Sequence, residues 1–329
     1  MAQPVLPFTG ERYTPENALE IAAEHWHRYA FARALAPGRR VLDAACGEGY
    51  GSALLARAGA DVLGVDIGAD AVAHARARYA GIAGLRFEQA DATALDAHAD
   101  ASFDLVLSFE TLEHVHAQER LLDGLARLLA PGGLLLVSTP DKRTYTDLTG
   151  EVNPHHVREL YRDEFEALLA ARFPARRLYG QKNLFQSVLW ALDGQGGGAQ
   201  ASTLAADDAV VEGVGPAPMY YLAACARDEA ALASLPALSL FGDTAESVYA
   251  DYRAEIRRNR AAAAHIAHLL LVGARPEVLV QEGGGGLAAP GADRDGEGAG
   301  PATAHLGDDL ERPWGGGDLH DPTVRTADR

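Results

Sequence analysis

Positive charge is scarce in this chain. Its 329 residues hold 29 Lys and Arg against 46 Asp and Glu, a net charge of -17. That balance works against sequence-blind nucleic-acid binding, which needs a basic face to displace counterions. It works equally against a polybasic contact with a membrane surface. Cysteine is scarcer still: Cys46 and Cys225 are the only two. So few exclude a disulfide-stapled scaffold and fit a reducing compartment. No run of roughly 18 uninterrupted apolar residues exists, so no membrane-spanning helix is expected. The opening Met1-Ala2-Gln3-Pro4 lacks a charged segment followed by an apolar run, so no signal peptide is expected and the location reads as cytoplasmic. There is no internal repeat.

What the chain does have is alternation. Short apolar runs occur at Arg40–Ala45, Asp61–Ile67, Leu85–Gln89, Phe103–Phe109 and Gly133–Thr139. Helix-like stretches lie between them, at Ser52–Ala58, Ala69–Tyr79 and Ala117–Leu129. Strand–helix alternation predicts an α/β fold, a doubly wound and mainly parallel sheet with helices on both faces. Ala130-Pro131-Gly132-Gly133 is a breaker expected to end the helix before the fifth strand. Further on, Asp163–Arg172 reads as a helix, Ala175–Leu178 and Tyr220–Ala226 as an antiparallel strand pair at the sheet edge, and Glu246–Val272 as a long helix. Gly194–Pro218 reads as a mobile Gly/Ala-rich insertion. The expected division is an N-terminal helical cap at 1–35, helical near Asn17–Leu35, a main domain at 36–228, a helical extension at 229–273 and a tail at 274–329. The tail is rich in Gly, Asp and Pro with few large apolar residues. It cannot bury enough surface to offset its ordering entropy, so it reads as disordered.

The densest signal is Val41-Leu42-Asp43-Ala44-Ala45-Cys46-Gly47-Glu48-Gly49-Tyr50-Gly51, a strand running through a Gly-rich turn into a helix. The glycines permit positive φ and let a ligand approach the backbone. An acid stands at each of three successive strand ends: Asp43, Asp66 in Gly64-Val65-Asp66-Ile67, and Asp91 in Gln89-Ala90-Asp91-Ala92. Asp66 is placed to accept from both hydroxyls of a ribose, and Asp91 to reach an adenine amine. Each acid alone could serve as a helix N-cap; three in series point to a nucleoside. The glycine spacing is G-x-G-x-G rather than G-x-G-x-x-G, so a dinucleotide pyrophosphate cradle is not indicated.

These three motifs, in this order and spacing, resemble those of class I S-adenosylmethionine-dependent methyltransferases. Phe103-Asp104-Leu105-Val106 and Leu129-Ala130-Pro131-Gly132-Gly133 are similar to that family's fourth strand and the turn before its fifth. The resemblance covers roughly residues 36–226 and implies a seven-stranded sheet with S-adenosylmethionine as cofactor. It implies that Gly47 and Gly49 face the methionine part, Asp66 the ribose, and Asp91 with Ala92 the adenine. Asp43, Cys46, Glu48, Ile67 and Phe109 complete the implied cofactor set.

After the fourth strand comes Ser108-Phe109-Glu110-Thr111-Leu112-Glu113-His114. On a helical turn Glu110, Glu113 and His114 share a face, and two carboxylates with an imidazole could hold a divalent cation. The residues leave a second reading open, in which Glu113 caps locally and His114 orders the loop. Downstream lies Asn153-Pro154-His155-His156, followed by Phe165. E-x-x-E-H with this later histidine resembles the metal site of small-RNA 3′-terminal 2′-O-methyltransferases, and ubiquinone-pathway O-methyltransferases carry a related E-x-x-E-H. That likeness implies Glu110, Glu113, His114 and His156 as ligands of Mn, Mg or Fe. His114, His155 and His156 are then the candidate catalytic imidazoles, His155 as a general base or a supporting group.

The segments Phe8–Tyr13 and Glu24-His25-Trp26-His27-Arg28-Tyr29 are similar to a bacterial subgroup of these enzymes associated with glycosyltransferases and surface-polysaccharide assembly. The expected function is O-methylation of a small-molecule or glycan acceptor at a sugar hydroxyl. RNA 2′-O-methylation, for which the acidic charge is unsuited, quinone or phenol O-methylation, and a non-catalytic nucleotide-binding scaffold are the alternatives. The oligomeric state is not readable from the sequence.

Overall fold

In the computed structural model the described residues are 20–273, apart from 190 and 193–197. The expected tail and the Phe8–Tyr13 segment lie outside them. The described residues up to His268 form one compact unit.

Seven strands form one sheet: β1 (Arg40–Ala44), β2 (Asp61–Asp66), β3 (Leu85–Gln89), β4 (Phe103–Ser108), β5 (Leu129–Pro140), β6 (Ala175–Gln181) and β9 (Tyr220–Ala226). Their spatial order is β3-β2-β1-β4-β5-β9-β6. The first five are parallel, with Val41 opposite Val62 on one side and Leu105 on the other. β9 is antiparallel to both β5 and β6, as the reading of an antiparallel edge pair expects. The central strands are buried on both faces, which is why they read as continuous apolar runs. Their alternate side chains feed two cores. One holds Leu42, Val65, Val106, Leu135 and the leucines of α4 (Gln118–Leu128). The other holds Val41, Val62, Leu105, Leu136 and residues of α1 (Glu20–Arg33) and α2 (Tyr50–Arg57).

On α4, Leu121, Leu122, Leu125 and Leu128 are fully buried, the stripe of an amphipathic helix laid on a sheet. The breaker after it behaves differently from expectation. Leu129 already pairs with Phe103, so β5 begins before Pro131, and the ladder shifts register between Phe103 and Leu105. Pro131 and Gly132 stay exposed in that irregularity, Gly132 at φ 73°. The described part of the insertion also carries strands where none was expected. Ser202–Leu204 (β7) and Val210–Glu212 (β8) form a separate antiparallel hairpin. Two further helices flank the sheet, α3 (Ala69–Arg78) and α5 (Arg162–Ala170), and α6 spans Ser247–Gly273. Among the described residues no helix is long and apolar enough to cross a membrane. Cys46 and Cys225 are both buried and free.

Strand order reverses direction between β1 and β4. That is the switch point at whose carboxyl ends open α/β sheets bind ligands.

Candidate cofactor and acceptor site

The chain leaves β1 through a turn made of left-handed residues: Ala45 at φ 61°, Gly47 at 59° and Gly49 at 89°. The Cys46 amide donates to the Val65 carbonyl at 2.9 Å, and the Gly47 amide to Asp66 Oδ2 at 2.9 Å. The other oxygen of Asp66 accepts from the Gly68 amide at 2.8 Å. One carboxylate therefore clamps the glycine turn to the end of β2. Ile67, next along, is 68% exposed. An exposed branched side chain beside the acid offers an apolar surface for a purine. Asp91 is exposed, and its Oδ1 accepts from both the amide and the hydroxyl of Thr93. It is thus partly spent on its own turn, next to the buried Ala92.

Two of the expected cofactor residues turn their side chains elsewhere. Cys46 packs with Val72, Ala75 and Phe87 in a small apolar cluster. Glu48 is buried, accepts from the Tyr79 hydroxyl at 2.8 Å, and faces His74 at 3.2 Å. Only their backbone faces the turn. The cause is local: the left-handed residues on either side point these two Cβ atoms under α3.

Asp43 is fully buried at the end of β1. It accepts from Ser52 Oγ at 2.6 Å and from the Tyr29 hydroxyl at 3.1 and 3.2 Å. Burial pushes its pKa up to about 7, against the lowering pull of those two donors and with a further push from Asp66. Tyr29 comes from α1 and was not among the expected site residues. Its ring lies where a side chain at Gly51 would stand, 2.1 Å from the position of a Cβ there. It also packs edge-on against Tyr50 and Phe109. The third glycine of G-x-G-x-G was the available signal that something must pass close by.

Across the switch point lies the second cluster. Glu113 and His114 sit in a 3-10 turn, Leu112–His114. The Glu113 carbonyl accepts from the amides of Val157 and Arg158, which fastens the 153–158 loop and with it His156. Ligand atoms of Glu113, His114 and His156 all lie within 4.8 Å of one another. His114 Nδ1 contacts the His155 carbonyl at 3.0 Å, and His156 Nδ1 contacts Glu159 at 2.6 Å. Those acceptors assign the proton to Nδ1 in both rings and leave Nε2 as the lone-pair nitrogen. Nε2 of His156 accepts from Asn153 Nδ2 at 3.0 Å.

Glu113 is 1% exposed. Its Oε2 accepts from Thr139 at 3.0 Å, and its Oε1 has no hydrogen-bond partner among the described residues. Burial, followed by the charge of Glu110, raises its pKa well above the usual range. A cation beside Oε1 would offset that burial, and the three residues fit a divalent ion once the Asn153 amide leaves His156 Nε2. Two imidazoles and one carboxylate form a donor set used by Fe(II) and by Zn sites with open positions.

Glu110 does not join them. It precedes the 3-10 turn at φ 49°, so it does not share a helical face with Glu113 and His114. Its Oε1 accepts from Ser138 Oγ at 2.6 Å and lies 3.5 Å from Arg28. Ser138 and Arg28 thus hold Glu110 apart from the three-residue group. His155 enters through its carbonyl, and its ring is not in the three-residue group.

Arg28, also unanticipated, is 1% exposed. Its Nε donates to Gln181 at 2.7 Å and its guanidinium lies 4.6 Å over the Tyr220 ring. Nη1 and Nη2 have no hydrogen-bond partner among the described residues.

Residues 35–184 match the sequence profile of a methyltransferase domain family. A probable S-adenosylmethionine-dependent methyltransferase of Mycobacterium tuberculosis is 40% identical over 169 residues, 50% of this chain and 60% of that one. A ubiquinone biosynthesis O-methyltransferase of Paracidovorax citrulli is 36% identical over 134 residues, 40% of this chain and 56% of that one. The matches thus span less than two thirds of either relative. A solved S-adenosylmethionine-dependent methyltransferase of Thermotoga maritima, described as a possible histamine N-methyltransferase, superposes with a TM-score of 0.44 at 19% identity, over 63% of this chain and 90% of that one. Over residues 35–184 the chain is thus similar to S-adenosylmethionine-dependent methyltransferase domains.

Proposed function

We propose that the chain transfers the methyl group of S-adenosylmethionine to a hydroxyl oxygen of an acceptor, with a sugar or glycan hydroxyl as the first choice. The observation that carries this reading is the meeting of two clusters across one switch point. Three strand-end acids and a glycine turn lie on the β1–β2–β3 side. Glu113, His114 and His156 lie on the β4–β5 side.

Asp66 takes the ribose hydroxyls, Ile67 and Ala92 flank the adenine, and Asp43 lies nearest the amino-acid end. Bound to Glu113, His114 and His156, a divalent cation supplies positive charge that lowers the pKa of a nearby hydroxyl. Thr139 and Glu159 hold Glu113 and His156 in place, and orientation of acceptor and methyl carries much of the rate. In the transfer an O–C bond forms and the C–S bond breaks. Its electron pair passes to sulfur and leaves S-adenosylhomocysteine. The acceptor proton passes to an imidazole, for which His155 is the candidate. The relatives named for ubiquinone biosynthesis favour one second reading, a phenolic acceptor.

The test is methylation with labelled cofactor against a sugar panel and a catechol, with and without chelator. Turnover should fall to background with chelator and in His156→Ala, while S-adenosylhomocysteine binding stays unchanged. Full turnover under chelator removes the metal, and absence of cofactor binding removes the whole reading.

A further inference from the structure

A cavity of about 630 Å³ opens at the β6–β9 edge, within the range of small-molecule sites. Phe31, Tyr179 and Phe241 give it aromatic walls. Its charged lining is one-sided: Arg28, Arg162 and Lys182 contribute, and among the described residues no Asp or Glu does. In a chain where acids outnumber bases 46 to 29, that is not the composition of the surface at large.

The three cations are not equivalent. Arg162 is paired with Glu166 at 2.7 Å. Lys182 is exposed and makes no ion pair among the described residues. Arg28 is buried with two nitrogens lacking hydrogen-bond partners, an arrangement that is costly unless something accepts from it. Glu110 beside it lies at 3.5 Å and is itself held by Ser138.

Side-chain contacts tie the cavity wall to the switch point. Arg28 lines it and reaches Glu110, at the end of β4. Tyr221 lines it and donates to Asp141, just past β5, at 2.9 Å.

We propose that this cavity is the acceptor pocket and that it selects an acceptor with a flat or apolar body bearing an anionic group, a carboxylate or a phosphate. The inference rests on the methyl-transfer reading for the word acceptor, while the anion preference rests on the cavity alone. Aromatic walls hold the body and Lys182 meets the anion at the mouth, with the buried Arg28 behind it adding positive charge.

The test uses matched probes on the full chain saturated with S-adenosylhomocysteine. p-Nitrophenyl glucuronide and p-nitrophenyl glucoside share a body and differ in one carboxylate; p-nitrophenyl phosphate carries the other anion. Calorimetry should show the glucuronide or the phosphate binding at least about tenfold more tightly than the glucoside, the scale of one charged hydrogen bond. Whichever of the two anions leads identifies the group. Lys182→Gln should cut that ratio severalfold and Lys182→Glu should erase it; as an exposed residue, Lys182 tolerates both without loss of fold. Equal binding of all three probes overturns the inference. So does a ratio that neither Lys182 variant changes. Failure of S-adenosylhomocysteine to bind counts against methyl transfer instead, and the probe ratio measured without it still decides the anion preference.

Discussion

Asp43 is the residue whose protonation should report cofactor binding. It is wholly buried, and desolvation sets its pKa at about 7 rather than the usual 3.8. A raised acid binds its proton more tightly in the folded state than in the unfolded one. Between pH ~4 and ~7 the folded chain therefore holds more protons, and stability from this site falls as pH rises through that window, then levels off. A shift of about three units corresponds to ~4 kcal/mol as an order of magnitude.

The proposed ligand carries an ammonium at its zwitterionic amino-acid end, and that positive charge placed beside Asp43 favours ionisation. Binding should then expel the proton. With a free pKa near 7, release amounts to ~0.9 proton at pH 6, ~0.5 at pH 7 and ~0.1 at pH 8, and affinity climbs up to about tenfold per unit below pH 7. Titration calorimetry with S-adenosylhomocysteine in two buffers of different ionisation enthalpy counts those protons. Asp43→Asn keeps the shape and an acceptor for Ser52 or Tyr29 while removing the titration, so the difference between wild type and variant isolates this site from the ligand's own amine. No difference at pH 6 would refute both the assignment and the electrostatic reasoning.

Three further outcomes follow from the same turn. Asp66→Ala should weaken S-adenosylhomocysteine binding by about 1.5–3 kcal/mol, the scale of charged hydrogen bonds; unchanged affinity by calorimetry would remove Asp66 from the ribose. Ala45→Gly should raise the denaturation midpoint, because φ 61° costs an alanine ~1–2 kcal/mol and glycine's extra unfolded freedom takes back only ~0.5–1. A lower midpoint would mean the alanine methyl packs usefully. Gly51→Ala should destabilise by roughly 2 kcal/mol or more, since its methyl would meet the Tyr29 ring at 2.1 Å, and Gly51→Ala with Tyr29→Ala should recover much of that in a double-mutant cycle.

The strands and the three strand-end acids were legible because a central parallel strand must be apolar throughout. An acid closing such a run therefore stands out in sequence. The β7–β8 hairpin was not, since three-residue strands set among glycine and alanine leave no periodicity to read. Glu113 and His114 were legible as neighbours on a turn. The separation of Glu110 from that group was not, because its partners are Ser138 on the next strand and Arg28 on the first helix, and local spacing carries no information about either. His156 was suggested by resemblance alone; what places it is the pair of hydrogen bonds from its loop to the Glu113 carbonyl.

α1 was legible as a helix near Asn17–Leu35 but not in its contacts, and its placement explains why one helix bears on both halves of the site. The sheet reverses order between β1 and β4, and the crevice there must be covered from outside the sheet, because no strand lies over it. His25, Arg28 and Tyr29 stand three and four residues apart and so share a helical face. His25 reaches Tyr50 at the start of α2. Tyr29 reaches Asp43 at the end of β1, and Arg28, next to it in sequence, reaches Glu110 past the end of β4. Two consecutive side chains thus touch the two sides of the switch point, one on the proposed cofactor side and one on the proposed acceptor side. A substitution that tilts α1, such as one at Gly51 beneath it, should therefore disturb both together. One confined to Lys182 should leave the cofactor side untouched.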